Sequence, residues 1–100
     1  MYMTSKNQNS SGRIRSRTEI IYDILQTIRN CGDGAIKTKI MLNANLSHRQ
    51  LKEYLTILID NGLLQYDTNI QIFKITERGL SVLQLCDRIG GLVEEAAASN

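Results

Sequence analysis

A mainly helical α+β fold is predicted by three features of the stretch from Lys37 to Gly79. Two short amphipathic segments, around KTKIMLN and SHRQLKEYLTILID, are joined only by Ala44-Asn45-Leu46, too little chain for anything but a tight turn. Two runs with strand character, Leu63 to Tyr66 and Ile70 to Ile75, flank a polar turn at Thr68-Asn69. A Thr-Glu-Arg-Gly sequence then opens a further helical pattern. A helix-turn-helix followed by a hairpin is a winged helix, here with a C-terminal helix suited to dimerisation. Such folds most often present their second turn-linked helix to the DNA major groove.

The first helix is expected from Thr18, which can cap it, to near Asn30. Ile20, Ile21, Ile24, Leu25 and Ile28 form one apolar stripe at helical spacing. Cys31-Gly32-Asp33-Gly34 reads as a turn. Ala35-Ile36 is short enough only for a minimal strand pairing with the wing. Lys37 to Asn43 forms the next helix, with Ile40 and Met41 inward. Ser47 and Gln50 make an S-x-x-Q capping box, a local start signal for the helix spanning 47–61. Leu51, Tyr54, Leu55, Leu58 and Ile59 recur at i, i+3, i+4, i+7 and i+8 and are predicted to face the core. Asn61-Gly62 ends that helix.

In the hairpin, Leu64, Ile70, Ile72 and Phe73 supply the apolar positions. Ile72 and Phe73 are adjacent, so both cannot face the core, and the register stays open. Thr76 caps the last helix, and Glu77 suits its positive N-terminal end. Val82, Leu85, Ile89, Leu92 and Ala96 step by 3, 4, 3 and 4, with Leu83 and Cys86 beside them. That stripe can form a seam with a second copy or pack on its own domain. Gly90-Gly91 weakens this helix by roughly 2 kcal/mol relative to alanine. The expected division is a polar and basic arm at 1–17, a winged-helix domain at 18–79, the dimerisation helix at 80–97 and a tail at 98–100.

Composition narrows the function. The chain has 100 residues, ordinary apolar content and no proline, sufficient for one domain. It has no run of about 18 apolar residues to span a membrane, and its polar N-terminus does not read as a secretory signal. Two cysteines, Cys31 and Cys86, are neither at metal spacing nor enough for a disulfide framework. The net charge of +2 hides an asymmetry: residues 1–52 carry +6 and residues 53–100 carry −4. Such separation suits a face directed at a polyanion. Residues 1–12 hold too little apolar surface to offset ordering entropy and are expected to be disordered. Residues 13–17, with Arg13, Arg15 and Arg17, can extend the first helix or remain a basic arm.

The segments TEIIYDILQTI, GAIKTKIMLNANLSHRQLKEYLTILIDNGLL and FKITERG resemble an archaeal winged-helix family of predicted transcriptional regulators. That family includes small chromatin-type DNA-binding proteins that dimerise through a C-terminal helix. The most specific parts are KTKIMLNANLSHRQLKEYL, the NGLL exit and the T-x-[RK]-G start of the final helix, here Thr76-Glu77-Arg78-Gly79. The resemblance covers about Thr18 to Leu92. It implies DNA binding as a dimer, with an antiparallel coiled coil formed by the last helices. The chain departs from the pattern in its short final helix, with Gly90-Gly91 and an alanine-rich end.

Read from the residues, the outward face of the recognition helix holds His48, Arg49, Lys52, Glu53 and Thr56. Arg49 can pair bidentately with guanine, while His48 and Lys52 can reach a base edge or phosphate. Ser47 is spent as a cap, although the backbone there can meet a phosphate. Glu53 repels phosphate unless it accepts from cytosine or pairs with Arg49. Lys37, Thr38 and Lys39 begin the preceding helix, where cations oppose the dipole unless an anion is near. In the wing, Gln71 and Lys74 are the candidates, and Arg15 and Arg17 extend the set from the arm. The tip Asp67-Thr68-Asn69 lacks Lys and Arg, so little affinity is expected from it. A solvated charged face is the competing reading for each of these residues.

Catalysis lacks its parts. His48 is the one histidine, neither cysteine is near it in sequence, and no phosphate loop or metal-ligand spacing occurs. No cofactor, metal or small-molecule ligand is expected. The expected partners are double-stranded DNA and a second copy of the chain, with a cytoplasmic, nucleoid-associated location. Two other readings stand beside a sequence-directed regulator: an architectural protein coating DNA with little sequence preference, and a winged helix that contacts proteins instead.

Overall fold

The computed structural model describes residues 15–98, with side chains described over 15–88. The expected disorder of residues 1–12, Arg13 and the extreme C-terminus lie outside the described residues. The order of elements is α1 (Arg17–Asn30), α2 (Lys37–Ala44), α3 (His48–Asp60), β1 (Leu64–Asp67), β2 (Ile72–Ile75) and α4 (Glu77–Ala98). This is a mainly helical α+β winged helix-turn-helix with a long final helix.

The cap of α1 is Ser16, not Thr18. Ser16 Oγ accepts from the Glu19 N–H at 3.1 Å, and Glu19 Oε1 accepts from the Ser16 N–H at 2.8 Å. A box starting at Thr18 would place Ile21 at its third position, which has nothing to return. The earlier start puts Arg17 in the first turn of α1 and leaves Arg15 just ahead of it. Ile20, Ile24, Leu25 and Ile28 are buried in the core, with Ile21 packed at its edge.

The short strand shrinks to one residue. Ala35 and Phe73 exchange N–H···O bonds of 2.9 and 2.8 Å, tying the α1–α2 connection to the wing. Ile36 instead serves as the extended residue that precedes α2. Helix α2 ends on Asn45 in the left-handed conformation (φ 54°), and the Leu46 N–H closes back on the Met41 carbonyl at 3.1 Å. Asparagine tolerates that conformation better than most side chains, so one residue turns the chain between helices. Arg15 reinforces the turn: its guanidinium donates to the Asn45 carbonyl at 2.9 Å and to Asp23 Oδ2 at 2.7 Å.

Helix α3 begins as its sequence directs. Ser47 Oγ accepts from the Gln50 N–H, and Gln50 Oε1 from the Ser47 N–H, both at 3.1 Å. It ends on Gly62 (φ 76°), where the Gly62 N–H meets the Ile59 carbonyl and the Leu63 N–H meets the Leu58 carbonyl. That pair of bonds needs a residue with φ above zero, which glycine supplies without a Cβ penalty. Leu51, Leu55 and Leu58 are buried and Tyr54 packs at the core's edge. Ile59 departs from its predicted inward position and is 37% exposed.

The hairpin pairs Leu64 with Ile75, Gln65 with Lys74, Tyr66 with Phe73 and Asp67 with Ile72. Phe73 takes the core face and Ile72 the other, which settles the register. The second strand starts two residues later than the apolar pattern suggests. Asp67 Oδ1 accepts from the Asn69 N–H at 2.9 Å, and the Gln71 N–H donates to the Asp67 carbonyl at 2.7 Å. With Gln71 at φ 56°, these bonds draw residues 68–71 into the turn and carry Ile70 out of the strand.

Thr76 caps α4 by accepting from the Gly79 N–H at 3.0 Å, and its hydroxyl lies 2.7 Å from the Gly62 carbonyl, to which it donates. One hydroxyl thus ties the end of α3 to the start of α4. The helix runs through Gly90-Gly91 to Ala98. Leu83, predicted beside the seam, is fully buried, while Val82 is half-buried against the core and Leu85 is 53% exposed. The side chains of Ile89, Leu92 and Ala96 lie outside the described residues. Tyr22 Oη donates to Asp87 Oδ1 at 2.8 Å, and Arg29 approaches the same carboxylate at 3.9 Å, joining α1 to α4. Both cysteines are half-buried free thiols. Among the described residues, no helix is long and apolar enough to cross a membrane.

Candidate nucleic-acid interface

Three elements converge on one open concavity of about 660 Å³. The start of α2 contributes Ile36, Lys37 and Thr38. The outer side of α3 contributes Lys52, Thr56 and Ile59, and the wing contributes Tyr66, Ile70 and Gln71. Five residues singled out from sequence (Lys37, Thr38, Lys52, Thr56 and Gln71) therefore share a groove, although Lys37 and Gln71 are far apart in the chain.

The reason is topological. The Ala35–Phe73 bridge places the residue before α2 against the wing, so the N-terminus of α2 opens beside the hairpin. The turn at Asn45 then lays α3 across α2, with its buried leucines down and Lys52 and Thr56 up.

His48 and Arg49 are exposed at the start of α3, beyond the groove's lining. Lys39 is exposed in the first turn of α2 and lies outside that lining as well. The first turns of α2 and α3 contain no acidic residue. The N-cap of α2, Ile36, offers no side-chain oxygen, so its leading N–H groups have no side-chain cap. Among the described residues, Lys37, Lys39, Arg49 and Lys52 form no ion pair. Four cations with no ion pair among the described residues, next to a positive helix end, make a surface that attracts anions.

Several predicted members also make contacts within the protein. Arg15 is bound to Asp23 and to the Asn45 carbonyl, where it braces the turn. Lys74 Nζ is 3.9 Å from Asp67 Oδ2, so part of its charge is balanced within the wing. Thr56 Oγ1 donates to the Lys52 carbonyl at 2.9 Å and has only acceptor capacity left. Arg17 is exposed in the first turn of α1. Ser47 holds its cap.

The apolar part of the groove was not anticipated. Ile36, Ile59, Tyr66 and Ile70 are exposed large hydrophobic residues, and all four line it. For Ile59 and Ile70 the apolar pattern pointed inward. Tyr66 joins them because its cross-strand partner Phe73 lies on the same face, with ring centroids 4.6 Å apart, a pairing the open register did not specify. The groove thus has a cationic and hydroxylic margin around an apolar floor.

Comparison with known proteins agrees with the architecture. Residues 14–94 match the sequence profile described as winged helix-turn-helix. An uncharacterized protein of Methanocaldococcus jannaschii is 41% identical over 76 residues, covering 75% of this chain and 74% of its own. The crystal structure of Sso10a-2, a DNA-binding protein from Sulfolobus solfataricus, superposes with a TM-score of 0.69 at 22% identity, covering 85% of this chain and 88% of that one. The capped turn, the hairpin wing, the long final helix and a profile match spanning most of the sequence place this chain in the winged helix-turn-helix family.

Proposed function

We infer that the protein binds double-stranded DNA as a dimeric transcriptional regulator, with α3 in the major groove. The observation that carries this reading is the set of cations Lys37, Lys39, Arg49 and Lys52 on the two turn-linked helices, which form no ion pair among the described residues. Arg49 and His48, at the exposed start of α3, read base edges, and Lys52 reaches a base or the adjoining phosphate. Lys37, Thr38 and the uncapped N–H groups of α2 hold a phosphate and fix the register. The name of the Sulfolobus neighbour, a DNA-binding protein, supports the same reading.

We read the role as binding, which the winged helix-turn-helix match and the exposed cations of α2 and α3 support. Dimerisation uses α4, where Leu85 is exposed, Val82 is half-buried at the core's edge, and Ile89, Leu92 and Ala96 continue the sequence spacing. Leu85 supports this as a large apolar residue left 53% exposed on the seam spacing.

Selection of bound duplexes from a randomised pool tests the regulator reading directly. Enrichment of a motif is expected for sequence-directed binding. Retained DNA without enrichment would assign an architectural role, and no retained DNA at low salt would overturn DNA binding in favour of a protein-contact module.

A further inference from the structure

The wing tip carries an apolar side chain where a turn requires none. Turns are dominated by glycine, proline and short polar residues that satisfy local backbone groups, and β-branched residues are stiff and suited to strands. Yet Ile70 stands 59% exposed within the turn at residues 68–71, on the lining of the groove shared with Lys37 and Lys52. Asn69 and Gln71 flank it with amide side chains. The one acid beside this turn is folded inward. Asp67 Oδ1 accepts from the Asn69 N–H at 2.9 Å and lies 3.4 Å from the Ile70 nitrogen, and Oδ2 faces Lys74 at 3.9 Å. The Gln71 N–H bond to the Asp67 carbonyl closes the loop. The tip is therefore held by its own hydrogen bonds, with its acid partly balanced and its apolar residue pointing out.

We propose that Ile70 is a wedge, inserted by the wing between base pairs from the minor groove, so that binding bends the duplex. The proposal rests on the DNA-binding reading above. A sugar-phosphate strand seated between α3 and the wing brings the hairpin tip to the minor groove that adjoins the major groove occupied by α3. There, apolar side chains can partly unstack a base step and kink the duplex, while neighbouring Asn and Gln read the acceptor edges of A·T pairs. Asn69 and Gln71 supply those amides on either side of Ile70. Pyrimidine–purine steps, T-A above all, open most easily and are the preferred sites. The wing then acts on DNA shape more than on affinity, which agrees with its lack of unpaired Lys or Arg at the tip.

The test uses an end-labelled duplex with central T-A steps, reading occupancy by anisotropy and end-to-end distance by energy transfer in the same titration. Wild type should raise the transfer as occupancy rises. Compared at saturating occupancy, Ile70→Ala should lose most of that rise. Ile70→Met, which keeps an apolar tip, should retain it. Wild-type protein that saturates the duplex and leaves it straight would overturn the wedge while DNA binding stood. Equal bending by Ile70→Ala would overturn it too. Absence of any occupancy would remove the wedge together with the reading beneath it.

Discussion

Gly79 has no room for a side chain, because a Cβ there would sit 2.3 Å from the Leu63 carbonyl oxygen and 2.7 Å from Ile75. The obstacle is backbone, which cannot rotate away. Gly79→Ala should therefore lower stability by about 1–3 kcal/mol, seen as a drop in the thermal midpoint by circular dichroism. A midpoint equal to wild type would mean that the start of α4 is not packed as described. Tyr22 is a second residue with a measurable signature. Its hydrogen bond to Asp87, then burial and the Asp87 charge, raise the phenol above its ordinary 10.0. A tyrosine whose native pKa is raised stabilises the fold fully below the unfolded value. The contribution is lost as pH climbs through the native one. The stability difference between wild type and Tyr22→Phe should thus be present at pH 8 and shrink above pH 10. Since the bond is exposed, the difference should be small, about 0.5 kcal/mol. A gap that persists unchanged into strong alkali would count against this bond.

At the scale of elements, the caps decide where helices begin. Ser47→Ala removes the acceptor for the Gln50 N–H and should cost about 1 kcal/mol, measurable by urea unfolding. The same change leaves Arg49 and Lys52 in place, so DNA affinity of the folded protein should fall little. The boxes also show what can be read from a sequence. Ser47 with Gln50 was legible because their spacing alone specifies the box. Ser16 with Glu19 was equally legible, but the apolar stripe that follows drew the helix start toward Thr18. Gly62 and Asn45 announced their turns by residue type. Ile59 and Ile70 misled for a shared reason: periodicity records that a residue is apolar, not that something covers it. Both lie where the wing and α3 leave an open groove, so neither is covered. Arg15 could not be read at all, since its partners Asp23 and Asn45 meet only once α1 and the turn have folded together. The candidate site was legible as a list of cations, while its apolar floor needed three-dimensional assembly.

For the whole molecule, the polarity of the chain becomes a polarity of roles. The basic half holds α1, α2 and the start of α3 through Lys52, and most of the acidic half lies in the wing and α4. A dimer joined by α4 would hold two basic faces in fixed relation, so the seam is also a matter of DNA geometry. Leu85→Lys should shift the protein toward monomer in sedimentation equilibrium without lowering helix content, as Leu85 is not part of the core. A dimer unchanged by this substitution would place the interface elsewhere. Weaker DNA binding should accompany dissociation, because each protomer would then bind alone.

The measurement that bears most directly on DNA binding is an anisotropy titration of a labelled duplex at two salt concentrations, with wild type and the Arg49→Ala/Lys52→Ala double variant. If Lys37, Lys39 and Lys52 each neutralise a phosphate, log K against log salt should slope by about −3 per protomer. The double variant should bind roughly 10- to 100-fold more weakly with a shallower slope. Equal affinity and equal slope for both proteins would contradict the assignment of α3 as the DNA-reading helix.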